Sequence, residues 1–169
     1  TVFLDEFGDI SPKLQVSLLR VLESNEIRMI GGTTTRKVEC RIVVATNIDL
    51  KTAVESKRFR EDLYFRLARL EIRLPPLRKR ISDIPELVNY FLEGSQGASG
   101  EQKIVSAELI KTLETYPWPG NIRELKNCID RLKILNPEKD ILNIEDLNFI
   151  QFQGEISLPK NTEAQKFLK

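Results

Sequence analysis

Two adjacent prolines, Pro75 and Pro76, split this chain into halves with different hydrophobic patterning. Neither residue has a backbone N–H, so no regular strand or helix runs through the pair. Ahead of them lie short, unbroken apolar runs. Thr1-Val-Phe-Leu4 shows no alternation, which predicts a strand buried on both faces, as in a parallel sheet, and Arg41-Ile-Val-Val-Ala-Thr46 predicts a second buried strand. Leu70-Glu-Ile-Arg-Leu74 predicts a third strand, stopped by the prolines. Behind them the apolar residues fall at helical spacing. The expected fold is therefore α/β over residues 1–76 and all-helical over 77–150, with a polar tail at 151–169.

Local signals place the elements. Ser11-Pro12 is an N-cap followed by a first helical residue, and Leu14, Leu18 and Leu22 continue the helix to about Glu23. Glu26–Ile30, Gly31-Gly32 and Arg36–Glu39 predict a β-hairpin. Asn47-Ile48-Asp49 caps a short helix, and another covers about Phe59 to Leu67. In the second half, helices are expected over Asp83 to Glu93 and over Ala107 to Thr115 behind Ser106. Asn121-Ile-Arg-Glu124 reads as an N-cap with its reciprocal acid, and Asn143 as the cap of a last short helix. Opening on a buried strand predicts further sequence upstream.

Absences narrow the chemistry. The chain has no histidine, which excludes a Ser-His-Asp triad, a Cys-His dyad and any His-ligated metal. Carboxylates, Lys, Arg, Asn, hydroxyls and a hard cation such as magnesium are left. Cys40 and Cys128 form no CxxC, so a disulfide scaffold is excluded and a reducing compartment is expected. A net charge of +1 shows no basic excess for general nucleic-acid binding. No apolar run approaches a membrane span.

Four groups could carry chemistry. Asp5-Glu6 ends a buried strand, where open α/β sheets bind ligands; an Asp there can serve a magnesium site and a Glu can deprotonate water. Thr46-Asn47 ends the next strand in the same way, and an Asn can hold a water against a phosphate. Residues 51–83 hold ten Lys/Arg against five Asp/Glu. Within them, Arg60 and Arg66 stand about 120° apart on a continuous helix, so either Arg60 precedes the helix or the two have different roles. Arg123 sits in the first turn of a helix, where the dipole disfavours a cation, which suggests an anionic partner. Taken singly, each group also fits a plain structural role as a loop acid, a helix cap, a solvated face or a surface ion pair.

Their order along the chain resembles the AAA+ ATPase domain of sigma-54-dependent bacterial enhancer-binding transcription activators. VFLDEFGD is similar to the Walker B strand, and IRMIGGTTTRKVECRIVVATN to the pre-sensor hairpin leading into sensor I. RFREDLYFRL resembles the arginine-finger segment, LPPLRKRISDIPEL the entry to the lid, and WPGNIREL sensor II. The resemblance runs over about residues 1–150 in unbroken order. It implies ATP and Mg2+ as cofactors, with Asp5 at the magnesium and nucleotide site and Glu6 polarising the attacking water. It further implies Asn47 as sensor I, Arg60 and Arg66 reaching the nucleotide of a neighbouring subunit, and Arg123 touching the bound nucleotide from the lid.

The implied activity is ATP hydrolysis in a homo-oligomeric ring, a hexamer or heptamer, that remodels the RNA polymerase–sigma-54 closed promoter complex in the cytoplasm. The hairpin at 26–39 is expected to relay the motion. A G-x-x-x-x-G-K-[ST] loop and a Gly-Ala-Phe-Thr-Gly-Ala sigma-contacting loop are not among these residues, and no complete helix-turn-helix follows residue 150. The chain is thus expected to be the C-terminal half of such a domain, inactive alone and contacting DNA only through a separate domain. A non-catalytic AAA+-like oligomerisation or regulatory module is the alternative; a helicase loader or unfoldase fits the motifs less well. In the family's sheet another strand lies between those matching 41–46 and 70–74. The exposed edges are therefore expected to pair between chains.

Overall fold

The computed structural model describes residues 1–28 and 34–149. The chain divides into two units, Thr1–Arg73 and Leu74–Lys169.

In the first unit β1 (Val2–Leu4) is followed by a single 3-10 turn (Phe7–Asp9), α1 (Pro12–Ser24), β2 (Glu26–Arg28) and β3 (Thr35–Lys37). Then come β4 (Ile42–Val44), α2 (Leu50–Glu55) and α3 (Glu61–Leu67). β1 and β4 pair in parallel, with Leu4 opposite Val44. β2 and β3 form an antiparallel hairpin, with Glu26 opposite Lys37. Its Gly31-Gly32 turn lies outside the described residues. α1 starts as the sequence dictates: Ser11 Oγ accepts the Leu14 N–H at 3.4 Å, and Pro12 occupies the first helical position. It ends at Asn25, whose left-handed backbone turns the chain into the hairpin. Asp49 caps α2 by accepting the Lys51 N–H at 2.9 Å.

Two sequence expectations fail here. β1 is not buried on both faces, since Phe3 is 60% exposed. Successive strand residues face opposite ways. Leu4 and Val44 turn to the core of Phe7, Ala53, Phe59 and Leu63, and Phe3 turns away from it. Residues 70–74 form no strand, and Leu70, Ile72 and Leu74 are 76–82% exposed. Their alternation supplies an apolar face. A strand also needs a neighbour for its backbone groups, and none pairs with them among the described residues.

The second unit opens with two 3-10 turns (Leu77–Lys79 and Ile81–Asp83) and α4 (Ile84–Leu92). β5 (Ile104–Val105), α5 (Ala107–Thr115), α6 (Asn121–Leu135), β6 (Ile141–Leu142) and a 3-10 segment (Ile144–Phe149) follow. Its described residues are helical apart from the two-residue parallel pairing of β5 with β6 and an isolated antiparallel bridge between Gln96 and Gln102, neither of which the helical periodicity predicted. Its core joins Leu77, Val88, Leu113, Trp118 and Ile129. Ser106 caps α5, accepting the Leu109 N–H at 3.3 Å. Asn143 is not the side-chain cap expected at the last segment. Its backbone N–H instead donates to Asp146 at 2.8 Å. Burial works to raise the Asp146 carboxyl, but the Asn143 N–H and the Lys139 ammonium hold it below the usual range. Cys128 is inert: burial above all, then the Glu124 charge, pushes its thiol up to about 12.

Lys103 is 3% exposed, unusual for a lysine. Its ammonium donates to the carbonyls of Asn136, Pro137 and Lys139, closing the end of α6. Lys103→Met keeps the stem and strands those carbonyls. It is expected to destabilise this unit by about 1–3 kcal/mol. Urea denaturation followed by the fluorescence of Trp118, the single tryptophan and part of this core, measures it.

Candidate functional site

The parallel register fixes the first part of the site. Because Leu4 lies opposite Val44, the residues leaving both strands emerge at one edge: Asp5-Glu6 from β1 and Thr46-Asn47 from β4. The ladder continues past the strands, with Ala45 N–H donating to Leu4 and Phe7 N–H to Ala45, both at 2.9 Å. Glu6 takes a left-handed backbone, φ 53°, which swings the chain into the 3-10 turn. Gly8 is needed in that turn, because a Cβ there would stand 2.6 Å from Thr46 Oγ1. Asp5, Glu6 and Asn47 are all exposed. Asp5 Oδ1 accepts the Glu6 N–H at 2.9 Å. The Glu6 and Asn47 side chains make no hydrogen bond among the described residues.

This edge offers a metal only oxygen donors. No group of three or more His, Cys, Asp or Glu among the described residues could cage a metal. One free-standing carboxylate suits magnesium, which keeps most of its waters and is held by one or two carboxylates plus substrate phosphates. Asp5 fits that mode, and the exposed Glu6 stands next to it.

The two arginines sit at opposite ends of α3. Arg60 precedes the helix as its N-cap, with extended backbone. Its guanidinium grips Asp62 through both Nε (3.0 Å) and Nη2 (2.6 Å). That hydrogen bond and the attached charge raise Arg60 above its ordinary pKa and hold Asp62 below the carboxylate range. Arg66, in the last turn, donates Nε and Nη2 to the Leu22 carbonyl at 3.2 and 2.9 Å. Both side chains are exposed. One helix face does not carry both, so of the two arrangements the sequence left open, Arg60 precedes the helix.

Arg123 belongs to the second unit, exposed in the first turn of α6 and without a hydrogen bond or ion pair among the described residues. The turn before it is tightly built. Trp118 is buried at φ 47°, with Nε1 donating to the Leu113 carbonyl at 2.7 Å. Its ring meets Tyr116 edge-on at 4.9 Å. Glu124 accepts the Gly120 N–H at 2.8 Å and the Tyr116 hydroxyl at 3.0 Å. The reach-back of the expected capping box is present, but one residue early. Gly120 is the N-cap, while Asn121 uses its Oδ1 on the Leu77 N–H at 2.9 Å. Gly120 admits no side chain, because a Cβ would lie 2.8 Å from that of Glu124.

Sequence reasoning missed Gln15. It lies buried on α1, bonded to the segment that carries Arg60. The signal was present: Gln15, Leu18, Leu19 and Leu22 follow i, i+3, i+4, i+7, so a polar residue stands in an apolar seam. Among the described residues no helix is long and apolar enough to cross a membrane.

Residues 1–73 match the sigma-54 interaction domain family, and residues 78–164 the AAA+ ATPase lid domain family. The Nif-specific regulatory protein of Azotobacter vinelandii is 48% identical over 141 residues, which cover 83% of this chain and 27% of the relative. The DNA-binding transcriptional regulator NtrC of Rhizobium meliloti is 44% identical over 145 residues, covering 86% and 30%. The crystal structure of NtrX from Brucella abortus in complex with ADP superposes with a TM-score of 0.74 at 31% identity, covering 85% of this chain and 34% of that one. The chain thus spans 27% to 34% of the length of these relatives. Its two units carry the two matched families in order, and the chain belongs to the AAA+ ATPases of the sigma-54-dependent transcription activators.

Proposed function

We propose that these residues form the hydrolytic edge, the arginine segment and the lid of a cytoplasmic ATPase that remodels the RNA polymerase–sigma-54 closed promoter complex from within a homo-oligomeric ring. The observation that carries the reading is the β1–β4 register, which sets Asp5-Glu6 and Thr46-Asn47 side by side at the carboxyl edge of a parallel pair. Support comes also from the NtrX structures solved with ADP and ATP.

In this reading Glu6 takes the proton of the attacking water and Asn47 holds that water in line. Asp5 carries the magnesium with its water shell; the ion supplies charge neutralisation at the phosphates. Arg60 and Arg66 act on the nucleotide of the neighbouring subunit, and Arg123 contacts the bound nucleotide from the lid. The 169 residues contain no G-x-x-x-x-G-K-[ST] loop, so turnover is proposed for the polypeptide that also supplies one. The division of labour is residues 1–76 for hydrolysis, 77–150 for the lid and 151–169 as a link to a DNA-binding domain.

The test is promoter opening. The phosphate-loop-containing polypeptide, mixed with sigma-54 polymerase on a closed promoter complex, is expected to open it with ATP and not with a non-hydrolysable analogue. Ring assembly without turnover or opening would instead identify a non-catalytic oligomerisation module.

A further inference from the structure

Gln15 is 1% exposed and uses its whole amide. Nε2 donates to the carbonyls of Ile10 and Arg58, each at 3.1 Å, and Oε1 accepts the N–H of Arg60 at 2.9 Å. All three partners are backbone groups, and they come from two segments. Ile10 follows the 3-10 turn that leaves Asp5-Glu6; Arg58 and Arg60 flank the buried Phe59. Beside the amide the rings of Phe7 and Phe59 pack at 6.1 Å, between the same two segments. A leucine would fill this seam with similar bulk and no desolvation cost, but it would leave three backbone groups unpaired. What the position requires is therefore the donor and acceptor pattern.

The Arg60 side chain is exposed, so where its guanidinium can reach depends on the backbone that carries it. We infer that Gln15 is the positioning residue that fixes Arg60 at the head of α3 and ties it to the Asp5-Glu6 turn of the same subunit. A subunit's hydrolytic edge is thereby joined to the arginine it offers its neighbour. This rests on the reading of Arg60 as acting in trans.

Two variants test it. Gln15→Glu keeps size and one acceptor but sets an oxygen against the Ile10 and Arg58 carbonyls. Gln15→Met keeps bulk and loses every bond. In the phosphate-loop-containing polypeptide each is expected to lower turnover about 10²-fold, the scale of a misplaced catalytic group, with nucleotide affinity kept. Mixing with Glu6→Gln subunits is expected to restore activity, because those subunits supply an intact Arg60 to the variant's intact Glu6. Mixing with Arg60→Ala subunits is expected to restore none. In the 169-residue chain the Arg60 amide is expected to exchange faster in Gln15→Met, with α1 protection unchanged.

Wild-type turnover in both variants, rescue by Arg60→Ala, or no rescue by Glu6→Gln would overturn the inference. In those cases mutual rescue of Glu6→Gln and Arg60→Ala would leave the reading in trans standing. Failure of that control pair would overturn both.

Discussion

Arg60→Ala is expected to slow ATP turnover by ~10³–10⁵-fold, the range over which arginine fingers act, while leaving nucleotide affinity unchanged. The side chain has a geometry that suits the exchange of partners this role requires. Its planar fork already holds a carboxylate bidentately at Asp62, and a phosphate offers the same geometry. That ion pair is exposed and contributes little, so giving it up for a phosphate costs little. Arg66→Ala is expected to reduce turnover comparably, with one difference. Arg66 also donates to the Leu22 carbonyl near the end of α1, so its loss is expected to lower thermal stability as well. ATP titrations of steady-state turnover, paired with melting curves, separate the two arginines. Mixing either mutant with Glu6→Gln subunits is expected to recover part of the activity, because some interfaces then pair an intact Glu6 with intact arginines.

Glu6→Gln is expected to keep ATP bound and unhydrolysed, with turnover down by ~10²–10⁴-fold, the usual contribution of a general base. The amide keeps the shape of the side chain and is a far weaker base. The left-handed backbone at Glu6 belongs to the turn and is shared by both residues, so the substitution changes the chemistry and not the fold. A fluorescent ATP analogue reads the retained binding, and phosphate release reads the lost step. Binding that disappears with turnover would mark Glu6 as structural.

The caps at Ser11 and Ser106 were legible because a hydroxyl before a helix has one local use, and the structure shows that use at both. The strands β1 and β4 were legible as two unbroken apolar runs, though their pairing was not. Residues 70–74 were not: alternation is a local property, whereas a strand is made by its neighbour. At Asn121 the pattern erred by one residue because the distant Leu77 N–H claims the side chain, leaving Glu124 to reach Gly120. Lys103 gave no signal at all, since its three carbonyls lie more than thirty residues away. The acids and Asn47 at the site edge were readable as strand ends. The different settings of Arg60 and Arg66 emerged only from α1, against which α3 lies.

α3 is pinned to α1 at both ends, by the Arg60 N–H on Gln15 and by the Arg66 guanidinium on the Leu22 carbonyl. The two helices run in the same direction, and the pins on α1 stand seven residues, about 10 Å, apart. Two fastenings on one rod prevent pivoting, so the pair behaves as a yoke. A pull on α3 at Arg60 would therefore reach α1 at two points and not one. α1 passes through Asn25 into the foot of the β2–β3 hairpin, where Val38 N–H donates to the Asn25 carbonyl at 2.8 Å. If Arg60 does meet a neighbour's phosphate, as proposed, its displacement would have a backbone route to the foot of the hairpin through α1 and Asn25.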